Sequence, residues 1–218
     1  MIFRQVQLIA LFVMFTAGPA LAKSPIVIGV LDTGPGSSHE KEVTQEIRKA
    51  WATCKTCQIK TFPIYKPDGM LYEEQMLKSL DQAAKESTFL HLSWNTEYTA
   101  AYSRIVSKLN QIAESGKLIV ASVGAPEGNK IRGQIQNTVM GKVKLAILIG
   151  ELNEKNVLAF NTYEGPEMYK ALHPPRGKRG SSFSAAVFSG RLALLLEQNP
   201  KKKPVELLSQ VRDESPPN

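Results

Sequence analysis

The stretch "IVIGVLDTGPGSSHEKEV", residues 26–43, joins an apolar run ending on Asp32 to a segment opened by His39 through the turn "TGPGSS". The run 26–32 is near-continuously apolar, as expected of a strand buried on both faces. Residues 40–51, "EKEVTQEIRKAW", place Val43, Ile47 and Ala50/Trp51 at helical spacing. Acids come early in that segment and bases late, matching the helix dipole. A carboxylate at a strand end and an imidazole at a helix start, separated by so short a turn, are candidates for one site.

Outward from this unit, strand and helix patterns alternate. Strands are expected at 58–65, 89–94, 118–124, 144–150 and 156–160, and helices at 73–87, 100–115, 182–199 and 204–214. Such alternation predicts an α/β fold of three layers, a mostly parallel sheet with helices on both faces. Ligands of such sheets bind beyond the carboxyl ends of the strands. Asp32, Ser93-Trp94-Asn95 and Gly124-Ala125 all fall at those ends.

Composition narrows the classes. Of 218 residues, 43% are hydrophobic and 22% charged, a globular profile. The net charge of +7 is concentrated in part at Arg176-Gly177-Lys178-Arg179 and Lys201-Lys202-Lys203. Neither cluster is interleaved with aromatics, so no nucleic-acid partner is expected and a solvated face is the favoured reading. Residues 1–22 combine Arg4, an apolar run and Ala20-Leu21-Ala22, which reads as a signal peptide. Export to the periplasm or the medium follows, with a single domain over 23–214 and a short tail, 215–218. After signal removal no segment reaches the roughly 18 apolar residues of a spanning helix. Cys54 and Cys57 with three scattered histidines do not make a zinc set, so no metal and no cofactor are expected. In an oxidising compartment a local disulfide between them is the favoured state.

Ser182 opens a helix rich in small residues, "SFSAAVFSG", where backbone N–H groups favour developing negative charge. Alone, such a serine reads more readily as a helix cap. Taken together, the segments resemble the subtilisin-like serine proteases from Ile26 to about Val211. "VIGVLDTG" is similar to that family's aspartate motif and "GSSFSAAVFSGRLALLLEQNP" to its serine motif, G-T-S-x-A-x-P-x-x-A-G. "FLHLSWN" resembles the strand whose end binds substrate backbone, with Ser93 on the family's serine. "AAYSRIVSKLNQIAESGKLIVASVG" resembles the helix and strand leading to the oxyanion site, ending at Gly124.

The resemblance implies a triad of Asp32, His39 and Ser182 hydrolysing peptides or proteins. His39 can be aligned in two ways. One sets "SSHEKEV" against a noncatalytic S-S-H-P that follows many family aspartates. The other follows topology: the helix that His39 opens leads into "CQIKTFPIY", as the helix of the family's catalytic histidine leads into its next strand. The second alignment is favoured. His91, in mid-strand, reads as a sheet residue, and His173 as a reserve candidate.

Three departures from the family pattern imply an alternative, an inactive relative that binds peptides or envelope proteins. The family's oxyanion asparagine is Ala125 in direct register, leaving Asn129 as the candidate donor. The substrate-binding S-x-G is Ser93-Trp94-Asn95. Only Lys23-Ser24-Pro25 separates the expected cleavage site from the first strand, where secreted relatives usually carry a propeptide.

Overall fold

The computed structural model describes residues 24–33, 37–66, 69–126 and 132–212. The signal-peptide segment, the tail 215–218 and Asn129 lie outside them.

Strand β1 (Ile26–Asp32) is followed by helix α1 (Ser38–Ala50), β2 (Cys57–Pro63), α2 (Glu73–Glu86), β3 (Phe89–Leu92), α3 (Ser103–Glu114) and β4 (Ile119–Ser122). Next come β5 (Arg132–Gln134), β6 (Ala146–Glu151), β7 (Thr162–Glu164), β8 (Met168–Leu172) and α4 (Ser181–Gln198). Six strands form one parallel sheet in the order β2-β1-β3-β4-β6-β8, and β5 pairs with β7 in a small parallel ladder.

The central strands β1, β3 and β4 are buried along their whole length, which accounts for their unbroken apolar runs. One face packs on α2 and α3 through Leu31, Leu80, Leu92, Ile105, Leu109 and Ala121. The other packs on α1 and α4 through Ile28, Val30, Ile47, Val120, Phe188 and Leu192. This is the expected three-layer α/β architecture.

Helix α4 reaches α1 closely because residue 190 is glycine. A Cβ there would stand 2.5 Å from the Ile47 carbonyl oxygen and 2.6 Å from Ala50 Cβ. Cys54 and Cys57 are disulfide-bonded across the turn from α1 to β2. That turn folds over the far end of α4: the Lys55 and Thr56 amides and the Thr56 hydroxyl donate to Glu197 Oε1 at 2.8, 2.7 and 2.9 Å.

Two expected elements differ. Residues 156–160 form no strand. Asn156 has φ +58°, only an isolated antiparallel bridge joins Leu152 to Leu158, and Val157 and Phe160 point outward, 52% and 69% exposed. The sheet continues instead through β8, whose "MYKAL" mixes polar and apolar residues as an edge strand does. The segment from Pro204 to Gln210 is a 3₁₀ helix rather than an α-helix.

Candidate functional site

At the carboxyl end of β1, Asp32 is nearly enclosed, its side chain 1% exposed. A buried carboxylate requires donors, and among the described residues it has three. The Thr33 amide and hydroxyl donate to Oδ1 at 2.5 and 2.9 Å, and His39 Nδ1 lies 2.9 Å from Oδ1 and 3.1 Å from Oδ2. The strand end and the helix start are tied by Thr33 Oγ1 and Ser37 Oγ, 2.7 Å apart. Ser37 also caps α1, its hydroxyl accepting from the Glu40 amide at 3.1 Å. One capping serine therefore sets both the helix start and the placement of His39.

The hydrogen bond to Asp32 raises the His39 pKa above 6.5, its charge and that of Glu42 adding to the effect while burial opposes it. The imidazole is held by Nδ1, and its ring centroid is 5.9 Å from that of Phe183 in the first turn of α4.

Ser182 lies beside Phe183, half-buried in that same turn. Its hydroxyl makes no hydrogen bond among the described residues, to His39 or to any other group. Catalytic hydrogen bonds are often long before substrate binds. The neighbouring Ser181 is engaged: its hydroxyl accepts from the Gly124 amide at 3.0 Å, locking the start of α4 to the end of β4.

Gly124 has φ +78°, and a Cβ there would come within 3.2 Å of Asn95 Cβ. Asn95 is fully used in structure. Its Nδ2 donates to the Val123 carbonyl (2.7 Å) and Thr138 Oγ1 (3.1 Å), while Oδ1 accepts from the Thr96 and Met140 amides, both at 3.0 Å. Ala125 is exposed beside Gly124.

Between these two poles stands Ser93. Register pairs Val30 with His91, both facing α1 and α4, and two residues on Asp32 and Ser93 share that face. His91 is fully buried. Its Nδ1 is 2.9 Å from Ser189 Oγ of α4 and its Nε2 is 2.7 Å from Ser93 Oγ. Burial pushes its pKa down to about 4, so the ring is neutral near pH 7. His91 is thus the sheet residue expected, with the addition that it holds the Ser93 hydroxyl. His173 lies half-buried in the connection between β8 and α4.

Asp32 and His39 are therefore brought together, and Ser182 opens the adjacent helix without bonding to the imidazole. Ser37, Ser181 and Ser189 were not read from the sequence as site residues, although Ser181 falls in the serine motif, and Lys178 was read only as part of a solvated basic face. Lys178 Nζ donates to Glu42 Oε2 at 2.6 Å, bridging the connection before α4 to the first turns of α1. No group of three or more His, Cys, Asp and Glu side chains able to hold a metal occurs among the described residues, and none of their helices is long and apolar enough to cross a membrane.

No family model and no curated protein matches the sequence. Solved structures do match the fold. A cold-adapted subtilisin-like serine proteinase superposes with TM-score 0.65 at 14% identity, covering 86% of this chain and 81% of that one. A lanthipeptide protease gives TM-score 0.65 at 12% identity, covering 85% and 77%. PatG macrocyclase in complex with peptide gives 0.55 at 14% identity, covering 84% and 81%.

Proposed function

Since the chain has the subtilisin-like fold, we propose that it is an exported serine hydrolase acting on peptides or proteins, with Ser182 as nucleophile, His39 as base and Asp32 as its orienting carboxylate. The observation that carries this reading is the buried Asp32 with His39 Nδ1 on its two oxygens at 2.9 and 3.1 Å. With Nδ1–H donating to Asp32, the neutral imidazole keeps Nε2 as its acceptor. That is the arrangement a serine nucleophile needs.

In the reaction Ser182 Oγ attacks the carbonyl carbon while its proton passes to His39 Nε2. The imidazolium then gives that proton to the leaving amine, the C–N bond breaks, and water repeats the sequence on the acyl-enzyme. The amides at the start of α4 supply donors to the oxyanion. Peptides as substrates are supported by the fold shared with two proteases and a peptide-bound macrocyclase.

The experiment is turnover of a peptide library by purified protein. Cleavage that vanishes in Ser182→Ala and His39→Ala, while Ser181→Ala retains some, supports the assignment. Cleavage that survives Ser182→Ala contradicts it.

A second reading, a peptide-binding protein without turnover, is favoured by Ala125 at the position of the oxyanion asparagine and by a Ser182 hydroxyl that makes no hydrogen bond among the described residues. It predicts peptide affinity without cleavage, unaltered by Ser182→Ala.

A further inference from the structure

The connection before α4, "HPPRGKRG" (173–180), is the most basic segment next to the site. It turns at Gly177, φ +78°, with the Lys178 amide donating to the Pro175 carbonyl. Lys178 pins it: Nζ is bonded to Glu42 on α1, three residues beyond His39, and lies 5.4 Å from the Phe183 ring centroid. The connection is thereby clamped beside the first turns of both α1 and α4, on the His39 side of Ser182. The Gly124 amide and Ser181 mark the opposite, β4 side.

Glu42 compensates Lys178. Arg176 and Arg179 are exposed and make no ion pair among the described residues. Arg179 directly precedes Gly180, the capping residue of α4. Arg176 and Arg179 thus bracket the Lys178 anchor in the segment that leads into the helix of Ser182, with no ion-pair partner among the described residues.

The chemistry assigns the His39 side of Ser182 to one half of the substrate. The histidine must reach the leaving nitrogen to protonate it. The leaving-group half therefore lies toward His39 and the basic connection, away from β4. Guanidinium forks match carboxylates in geometry and charge.

Resting on the triad reading above, we propose that Arg176 and Arg179 select peptides that carry Asp or Glu on the leaving-group side of the cleaved bond. Lys178 is a positioning residue that holds the two arginines in place.

The test uses the whole protein and quenched fluorogenic peptides differing at one leaving-group position: Glu, Gln or Lys. The expected order of kcat/KM is Glu over Gln over Lys, with about fivefold between Glu and Gln, the size of two exposed ion pairs. The preference fades in ~1 M salt, where screening reaches ~3 Å. Arg176→Glu with Arg179→Glu reverses the order, while the same charge changes in the acyl half of the peptide have little effect. Ser182 in that variant still takes up a fluorophosphonate, which shows that the nucleophile and its base remain assembled. Equal rates for the three peptides, or an order unaltered by the charge reversal, overturns the proposal while labelling shows the triad intact. Absence of labelling in the unmodified protein overturns the triad reading, and this inference with it.

Discussion

His39 Nδ1 sits between the two oxygens of the buried Asp32, 2.9 Å from one and 3.1 Å from the other, with the two residues seven positions apart in the chain. The pair raises the His39 pKa above 6.5. A base must be neutral to accept a proton, so the acid limb of kcat/KM is expected above pH 6.5. Asp32→Asn removes the main cause, moves the limb downward and lowers kcat by about 10³–10⁴. The pair's contribution to folding has the opposite sense to activity. It is complete below pH 6.5 and is lost as pH rises through the folded pKa. NMR titration of His39 checks the shift, and a limb at or below 6.5 in the unmodified protein contradicts it.

Ala125 stands where the family resemblance puts the oxyanion asparagine, and its methyl group offers no hydrogen-bond donor. Ala125→Asn is expected to raise kcat by about 10²-fold, the usual size of one oxyanion donor. Steady-state kinetics decide it. An unchanged kcat would mean that residue 125 does not face the developing charge.

Gly190 sets the distance between α1, which carries His39, and α4, which carries Ser182. Gly190→Ala puts a methyl group 2.5 Å from the Ile47 carbonyl oxygen. Backbone has to move, and a cost of about 1–3 kcal/mol is expected from overpacking. Denaturant unfolding measures that cost, and activity is expected to fall further than stability does.

His91 is buried with a pKa of about 4 against 6.5 in the unfolded chain. The unfolded state binds the extra proton first, so stability falls as pH drops from 6.5 to about 4 and then levels off. The full loss is on the order of 3 kcal/mol. His91→Asn is expected to flatten this part of the stability curve, read by urea unfolding at pH 7, 5.5 and 4. An unchanged pH dependence would mean another group is responsible.

The parallel sheet and its two helical layers were legible in the sequence because strands buried on both faces must be apolar throughout. The Asp32–His39 meeting was legible for a topological reason: a short turn between strand end and helix start restricts where the two can lie. The strand expected at 156–160 failed because five apolar-rich residues carry no information on which way they face. Asn156 takes a left-handed conformation there, and the hairpin holds Val157 and Phe160 in solvent. Strand β8 was missed because an edge strand needs only one ladder and little apolar patterning. The relay from Ser189 through His91 to Ser93 joins residues up to 98 apart in the chain, and no local pattern encodes such a pairing.

The central claim is that Ser182 is the nucleophile served by His39. Its most direct measurement is reaction of the folded protein with a fluorophosphonate, followed by mass mapping of the adduct. The account predicts a single adduct on Ser182, absent in Ser182→Ala and in His39→Ala but retained in His91→Asn. No adduct on folded protein, or an adduct on another serine that persists in Ser182→Ala, would contradict it.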